Sequence, residues 1–191
     1  MPLLPLEPTV FPDDLLTRPV AQTELSGRWW VLHTHPRAEK ALARRCHRKG
    51  VSFFLPLHEY RRHSRGRLLQ SFVPLFPSYL FLFGDEDARV TALQSNQVVR
   101  CLPVLDQQKL HNELARVAQL IASGEPLTPE ERLQPGSLVE IVSGPLVGLQ
   151  GKVLRRGKQW QFIVEVELLQ RGVSVAIDGS MIRPLEGAAT R

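Results

Sequence analysis

Cysteine is nearly missing from this 191-residue chain: Cys46 and Cys101 stand far apart, and no Cys-x-x-Cys occurs. That excludes a disulfide framework and a zinc ribbon, leaving two reduced, semi-buried thiols as the expectation. No apolar run reaches the length of a membrane span, and the N-terminus lacks a basic segment followed by an apolar one, so a cytoplasmic protein is expected. No Gly-Lys-Ser/Thr follows the glycines at 144, 148 and 151, so their phosphate-loop look reduces to turn geometry. His33 and His35 lie two apart with Cys46 and His47 near in sequence, yet nothing has ligand spacing and no constellation orients a nucleophile. No metal, cofactor or enzymatic activity is expected.

What is present is an ordinary globular composition with an excess of positive charge. The formal net charge is +5, which suggests contact with a polyanion if the cations cluster. They do cluster. Arg61, Arg62, Arg65 and Arg67 fall within seven residues without an acid, between two strand-like runs, as in a basic hairpin tip. Such a run is often only a solvated turn, and four arginines in seven residues favour nucleic-acid contact over that reading. A helix over Arg37–Lys49 would carry Arg37, Lys40, Arg44, Arg48 and Lys49 on its outer face.

The segment Pro74-Leu-Phe-Pro-Ser-Tyr-Leu-Phe-Leu-Phe83 organises the chain. It is apolar on both sides, as strands covered on both faces are. Leu80 and Leu82 read as core. Phe76, Pro77 and Tyr79 admit two readings: a core strand entered through a proline turn, or an aromatic patch partly exposed for a partner.

The rest divides by texture. Residues 1–26, with five prolines, read as a mostly unstructured arm with local contacts near Leu15 and Leu16. Residues 27–124 follow a β-α-β-β-β-α-β-α order, an α+β domain with an antiparallel sheet flanked by helices. Residues 125–134, rich in Pro and Glu, read as a linker. Residues 135–186 hold short strands at close spacing, including a run in which Trp160, Phe162, Val164, Val166 and Leu168 share one face, and predict a small all-β barrel.

Three blocks in order resemble the NusG family of transcription factors. They are Trp29-Trp30-Val31-Leu32-His33-Thr34, then Phe76-Pro77-Ser78-Tyr79, and Pro135 to Val153, which is similar to the family's KOW motif with Gly144, Pro145, Gly148 and Gly151 in its turn. The anchor block and the basic tip resemble the specialised RfaH and UpxY antiterminators. Ser78 stands where the family usually has glycine, and Val99–Pro103 lacks the family's aromatic-glycine ending.

The resemblance implies an SH3-like KOW barrel behind a NusG N-terminal domain. It implies that Phe76, Pro77, Tyr79 and Phe81, flanked by His33 and Leu102, dock on the clamp helices of RNA polymerase and suppress pausing or termination. It implies that Arg61, Arg62, Arg65, Arg67, Arg37, Lys40 and Arg44 face DNA or nascent RNA. The KOW domain would recruit a ribosomal protein or Rho. A monomer without a membrane partner is expected. The rival reading is a ribosomal or general RNA-binding KOW protein.

Overall fold

A computed structural model describes residues 8–17, 27–64, 67–132 and 136–185, with backbone alone at 61–64 and 67–69. The chain divides into two compact units, 1–111 and 112–191.

Among the described residues of the first unit, strands β1 (Val10–Phe11), β3 (Ser52–Phe54), β6 (Tyr79–Gly84), β2 (Arg28–Thr34) and β7 (Val98–Leu102) lie side by side in that order. Every pairing is antiparallel. The central strands explain the unalternating apolar runs: Val31, Leu32, Leu80, Phe81 and Leu82 are all fully buried, so both sheet faces are covered. One face carries Leu32, Leu80, Leu82 and Phe53 against Leu42, Ala43 and Cys46 of helix α1 (Glu39–Arg48) and Ala92 of α2 (Glu86–Leu93). The opposite face is aromatic: Trp29 meets Phe83 at 5.2 Å between ring centroids, and Phe54 meets Phe81 at 6.3 Å.

Helix α1 is shorter than the expected Arg37–Lys49. Arg37 takes φ 65°, a left-handed conformation that no helix accepts, so the helix opens two residues later. Gly50, at φ 67°, ends it. For α2 the acidic start is a true cap, Asp85 accepting from the Ala88 N–H at 2.9 Å. Of the basic stretch, residues 61–64 and 67 lie at the end of a hairpin, β4 (Leu57–Ser64) paired with β5 (Arg67–Pro74) from Leu57↔Pro74 to Ser64↔Arg67.

The N-terminal arm departs from expectation. Val10 and Phe11 pair with Phe54 and Phe53, and the Leu55 N–H donates to the Thr9 carbonyl at 2.6 Å. Phe11 packs edge-on to His47 at 4.9 Å, while Leu15 and Leu16, where contacts were expected, are buried. Two residues of strand among prolines carry no periodicity, which is why the arm reads as structureless.

Helix α3 (Gln107–Ala122) spans the boundary, with Gln107–His111 in the first unit. The expected face holds at Leu110, Leu114 and Val117, and Leu120 rather than Ile121 completes it. In the second unit the described residues form a six-stranded antiparallel sheet ordered β13 (Ile182–Pro184), β9 (Ser137–Ile141), β10 (Gln150–Arg156), β11 (Gln159–Val166), β12 (Arg171–Ile177), β8 (Leu127–Glu130). The expected inward face of β11 holds at Phe162, Val164 and Val166, which are buried, but Trp160 is half-exposed and Ile163 on the other face is buried as well. Leu168 falls out of phase because a 3-10 turn begins at Glu167, so it is exposed.

The second departure is the linker, whose residues 127–130 are strand β8 on the edge of β12, from Leu127↔Val175 to Glu130↔Gly172. A polar clasp fixes it. Arg156 donates to both Glu130 oxygens at 2.9 Å, and the Ser174 hydroxyl donates to Oε1 at 2.5 Å. Burial pushes the Glu130 carboxyl up, but the Arg156 and Ser174 hydrogen bonds outweigh it and hold the group below its ordinary value of 4.5. A carboxyl depressed in the folded state stabilises fully above the unfolded-chain value and loses that contribution as acid titrates it. Denaturation midpoints between pH 7 and pH 3 should therefore show Glu130→Gln less stable than the parent at neutral pH, with the gap narrowing as the pH falls. A gap that persists unchanged at pH 3 would contradict the clasp.

Candidate functional site

The turn between β5 and β6 is built by long-range hydrogen bonds. Pro74 ends β5, and the Leu75 N–H donates to the Pro56 carbonyl at 2.9 Å. Pro77 sits exposed at the corner. Ser78 holds φ 66°, a left-handed conformation that glycine adopts without cost, which accounts for the glycine usual in the Phe-Pro-x-Tyr block. Here a carboxylate stabilises the turn: the Ser78 N–H donates to Glu39 Oε1 at 2.6 Å, and Glu39 is buried. The Ser78 carbonyl accepts from the Thr34 N–H at 2.8 Å. The first turn of α1, the end of β2 and the signature turn thus form one rigid corner.

From that corner the register sets what faces a partner. His33 lies opposite Tyr79 on one side and Arg100 on the other, and Val31 lies opposite Phe81 and Leu102. Residues directly opposite share a face, so Tyr79, His33 and Arg100 make one row across three strands and Phe81, Val31 and Leu102 the next. The Tyr79 and His33 rings are 5.1 Å apart, both half-buried. Leu102 is half-buried and Arg100 exposed. No hydrogen-bond partner for His33 Nδ1 occurs among the described residues, so packing on Tyr79 holds the ring.

Two expected docking residues are placed differently. Phe76 and Phe81 are 1 % and 0 % exposed, and their rings meet edge-to-face at 5.9 Å. They are buried beside the row rather than exposed with it, because Phe81 lies midstrand on a face that is fully covered there. An apolar run tells that both faces are buried, not where along a strand the cover ends. The accessible set is His33, Pro77, Tyr79 and Leu102.

Of the cationic residues, half-buried Lys40 and exposed Arg44 lie on α1 at a spacing that Arg48 continues, and exposed Arg37 precedes the helix. The backbone places Arg61, Arg62 and Arg67 near the end of the β4–β5 hairpin; their side chains, and all of Arg65, lie outside the described residues.

In the second unit the glycine-rich turn is structural. Gly144 and Gly148 take φ 86° and 85°, and the Gly148 N–H closes on the Ile141 carbonyl at 2.7 Å, with Pro145 exposed between buried Ile141 and Leu146. Gly151 is needed for another reason: a Cβ there would stand 2.6 Å from the Ile163 carbonyl oxygen.

Among the described residues no group of three His, Cys, Asp or Glu side chains could hold a metal ion. Burial pushes the Cys46 thiol up to about 11, leaving it protonated and unreactive near neutrality. No helix among the described residues is long and apolar enough to cross a membrane. Sequence reasoning missed Glu39, whose role depends on a partner 39 positions away, and Arg100, which only the β2–β7 register brings beside His33.

No curated protein matches the chain. Among solved structures, that described as "Domain interaction in Thermotoga maritima NusG" is 17% identical, covering 85% of this chain and 99% of that one with a TM-score of 0.49. That described as "Crystal Structure of MjSpt4:Spt5 complex conformation B" is 15% identical, with the same coverages and a TM-score of 0.28. The family model described as "Transcription termination factor nusG" matches residues 27–123, the stretch that holds four of the five strands of the first sheet, its helices and the signature turn, and on that match the chain belongs to the NusG family.

Proposed function

We propose that the chain is a transcription elongation factor of the specialised RfaH and UpxY kind, acting by binding rather than by catalysis. Its first domain docks on the clamp helices of RNA polymerase through Tyr79, His33, Pro77 and Leu102, with buried Phe76 and Phe81 packed beside them, and suppresses pausing or termination. The observation that carries this reading is the half-buried Tyr79–His33 row beside exposed Pro77, anchored through Glu39. Aromatic groups held rigidly by packing bind a partner with little further loss of side-chain freedom. The second, all-β domain is the KOW barrel of this reading and recruits a ribosomal protein or Rho.

The cationic hairpin tip and the α1 stripe hold DNA or RNA of the elongation complex through phosphates. Changing Arg61, Arg62, Arg65 and Arg67 together to alanine should weaken nucleic-acid association and lower its salt slope, with folding retained. An unchanged slope would reduce the tip to a solvated turn. The direct test of the whole reading is transcription in vitro across a terminator with purified polymerase: read-through should rise when the protein is added. Co-purification with ribosomal RNA in place of polymerase subunits would overturn it.

A further inference from the structure

The β10–β11 hairpin ends in a second cationic tip that the docking reading leaves unused. Arg155, Arg156 and Lys158 fall within four residues around Gly157, which takes φ 61° to close the turn. Arg156 is committed to Glu130. Arg155 and Lys158 are exposed. Arg155 is the cross-strand neighbour of Trp160, and its guanidinium lies over the indole, 5.7 Å from the ring centroid.

The backbone of Gly179 approaches the indole closely. A Cβ built on Gly179 would stand 2.8 Å from Trp160 Nε1, so only a glycine lets the ring pack that closely. Trp160 nevertheless remains half-exposed, whereas Phe162, next on the same face of β11, is fully buried. A residue there only to fill the core would be covered like Phe162.

Among the described residues neither Arg155 nor Lys158 forms a salt bridge, whereas two acids of the same unit have partners of their own. Glu130 is held by Arg156 and Ser174, and Asp178 accepts from the Ser180 N–H and hydroxyl, each at 2.8 Å. A merely solvated turn needs charge for solubility, but not a guanidinium held over a half-exposed indole. Those two features match the two repeating groups of a single strand, a base with a π-face and a phosphate.

We propose that this tip is a nucleic-acid contact of the second domain, taking one base of a single strand on the Arg155–Trp160 platform and the adjoining phosphates on Arg155 and Lys158. It goes beyond the docking reading, which assigns nucleic-acid contact to the first domain alone.

The test uses the full chain with Arg61, Arg62, Arg65 and Arg67 already changed to alanine, so that the first domain's tip contributes nothing. Fluorescein-labelled twelve-residue oligouridine and oligodeoxythymidine are titrated by anisotropy at several salt concentrations. Adding Arg155→Gln and Lys158→Gln, both at exposed positions, should weaken binding about tenfold at low salt. It should also lower the log–log salt slope by about 1.4, as expected for two lost single-strand phosphate contacts. Trp160→Phe, checked for an unchanged melt, should weaken binding with the slope preserved, because a stacked base carries no counterion. Preference for the RNA oligomer would identify the transcript as the source, and preference for the DNA oligomer a displaced DNA strand. The proposal is overturned if neither oligomer binds the tip-less background, or if the Arg155 and Lys158 changes leave affinity and slope as they were. The docking reading stands or falls separately, on polymerase binding.

Discussion

Tyr79→Ala should lose polymerase binding while melting close to the parent protein, and Leu80→Ala should do the reverse. The two residues are adjacent in β6 and point to opposite faces. Tyr79 is half-buried against His33, whereas Leu80 is fully buried among Leu32, Leu42 and Phe53. Truncating a core leucine costs about 2–5 kcal/mol, which for a domain of this size lowers the melting temperature by roughly 10 °C or more. Truncating an anchor at an interface costs about 2 kcal/mol or more of binding, close to a thirtyfold loss of affinity. Polymerase affinity by pull-down or interferometry, set beside thermal melts of both variants, separates the two. Should Tyr79→Ala chiefly unfold the protein, the row is core and the docking surface lies elsewhere.

Gly151→Ala should be the most damaging single methyl group in the second unit. The added Cβ would meet the Ile163 carbonyl oxygen at 2.6 Å and Phe162 Cζ at 2.7 Å. Neither can retreat, because Lys152↔Ile163 and Val153↔Phe162 are paired in the ladder and Phe162 is fully buried. Overpacking of this kind costs about 1–3 kcal/mol or more. Gly148→Ala is the control, since its Cβ would enter open space and only the φ of 85° opposes it, at about 1 kcal/mol. Denaturant midpoints should rank parent, Gly148→Ala and Gly151→Ala in falling order. Equal losses would mean that turn conformation, not the close approach of β10 to β11, explains both glycines.

Much of the architecture was legible because its signals are local. The period-two run from Trp160 to Val166 is a strand because alternate residues enter one core, and Asp85 caps α2 because a carboxylate three residues before an N–H reaches it. What escaped depends on chain segments meeting from far apart. Strands β1 and β8 are two and four residues long and flanked or interrupted by prolines, so neither has a period to detect. They exist because β3 and β12 offer open edges. Pro129 is tolerated in β8 because an outer strand need not donate on its free side. In the candidate site the sequence points to the right turn but not to the boundary between core and surface. Phe76 and Tyr79 look alike as residues in an apolar run, and only the cover over each ring distinguishes them.

The pairing of residues 10 and 11 with β3 has a consequence for where the folded protein begins. Likeness to the family starts at residue 27, yet the ladder is already occupied at Thr9, Val10 and Phe11. A chain trimmed to the family boundary would expose the unpaired backbone groups of β3 beside Phe53 and Phe54, the kind of bare rim that recruits strands from other molecules. The arm closes that rim with a segment too short and too proline-broken to serve as a template in its turn, and so keeps the sheet from growing beyond one molecule.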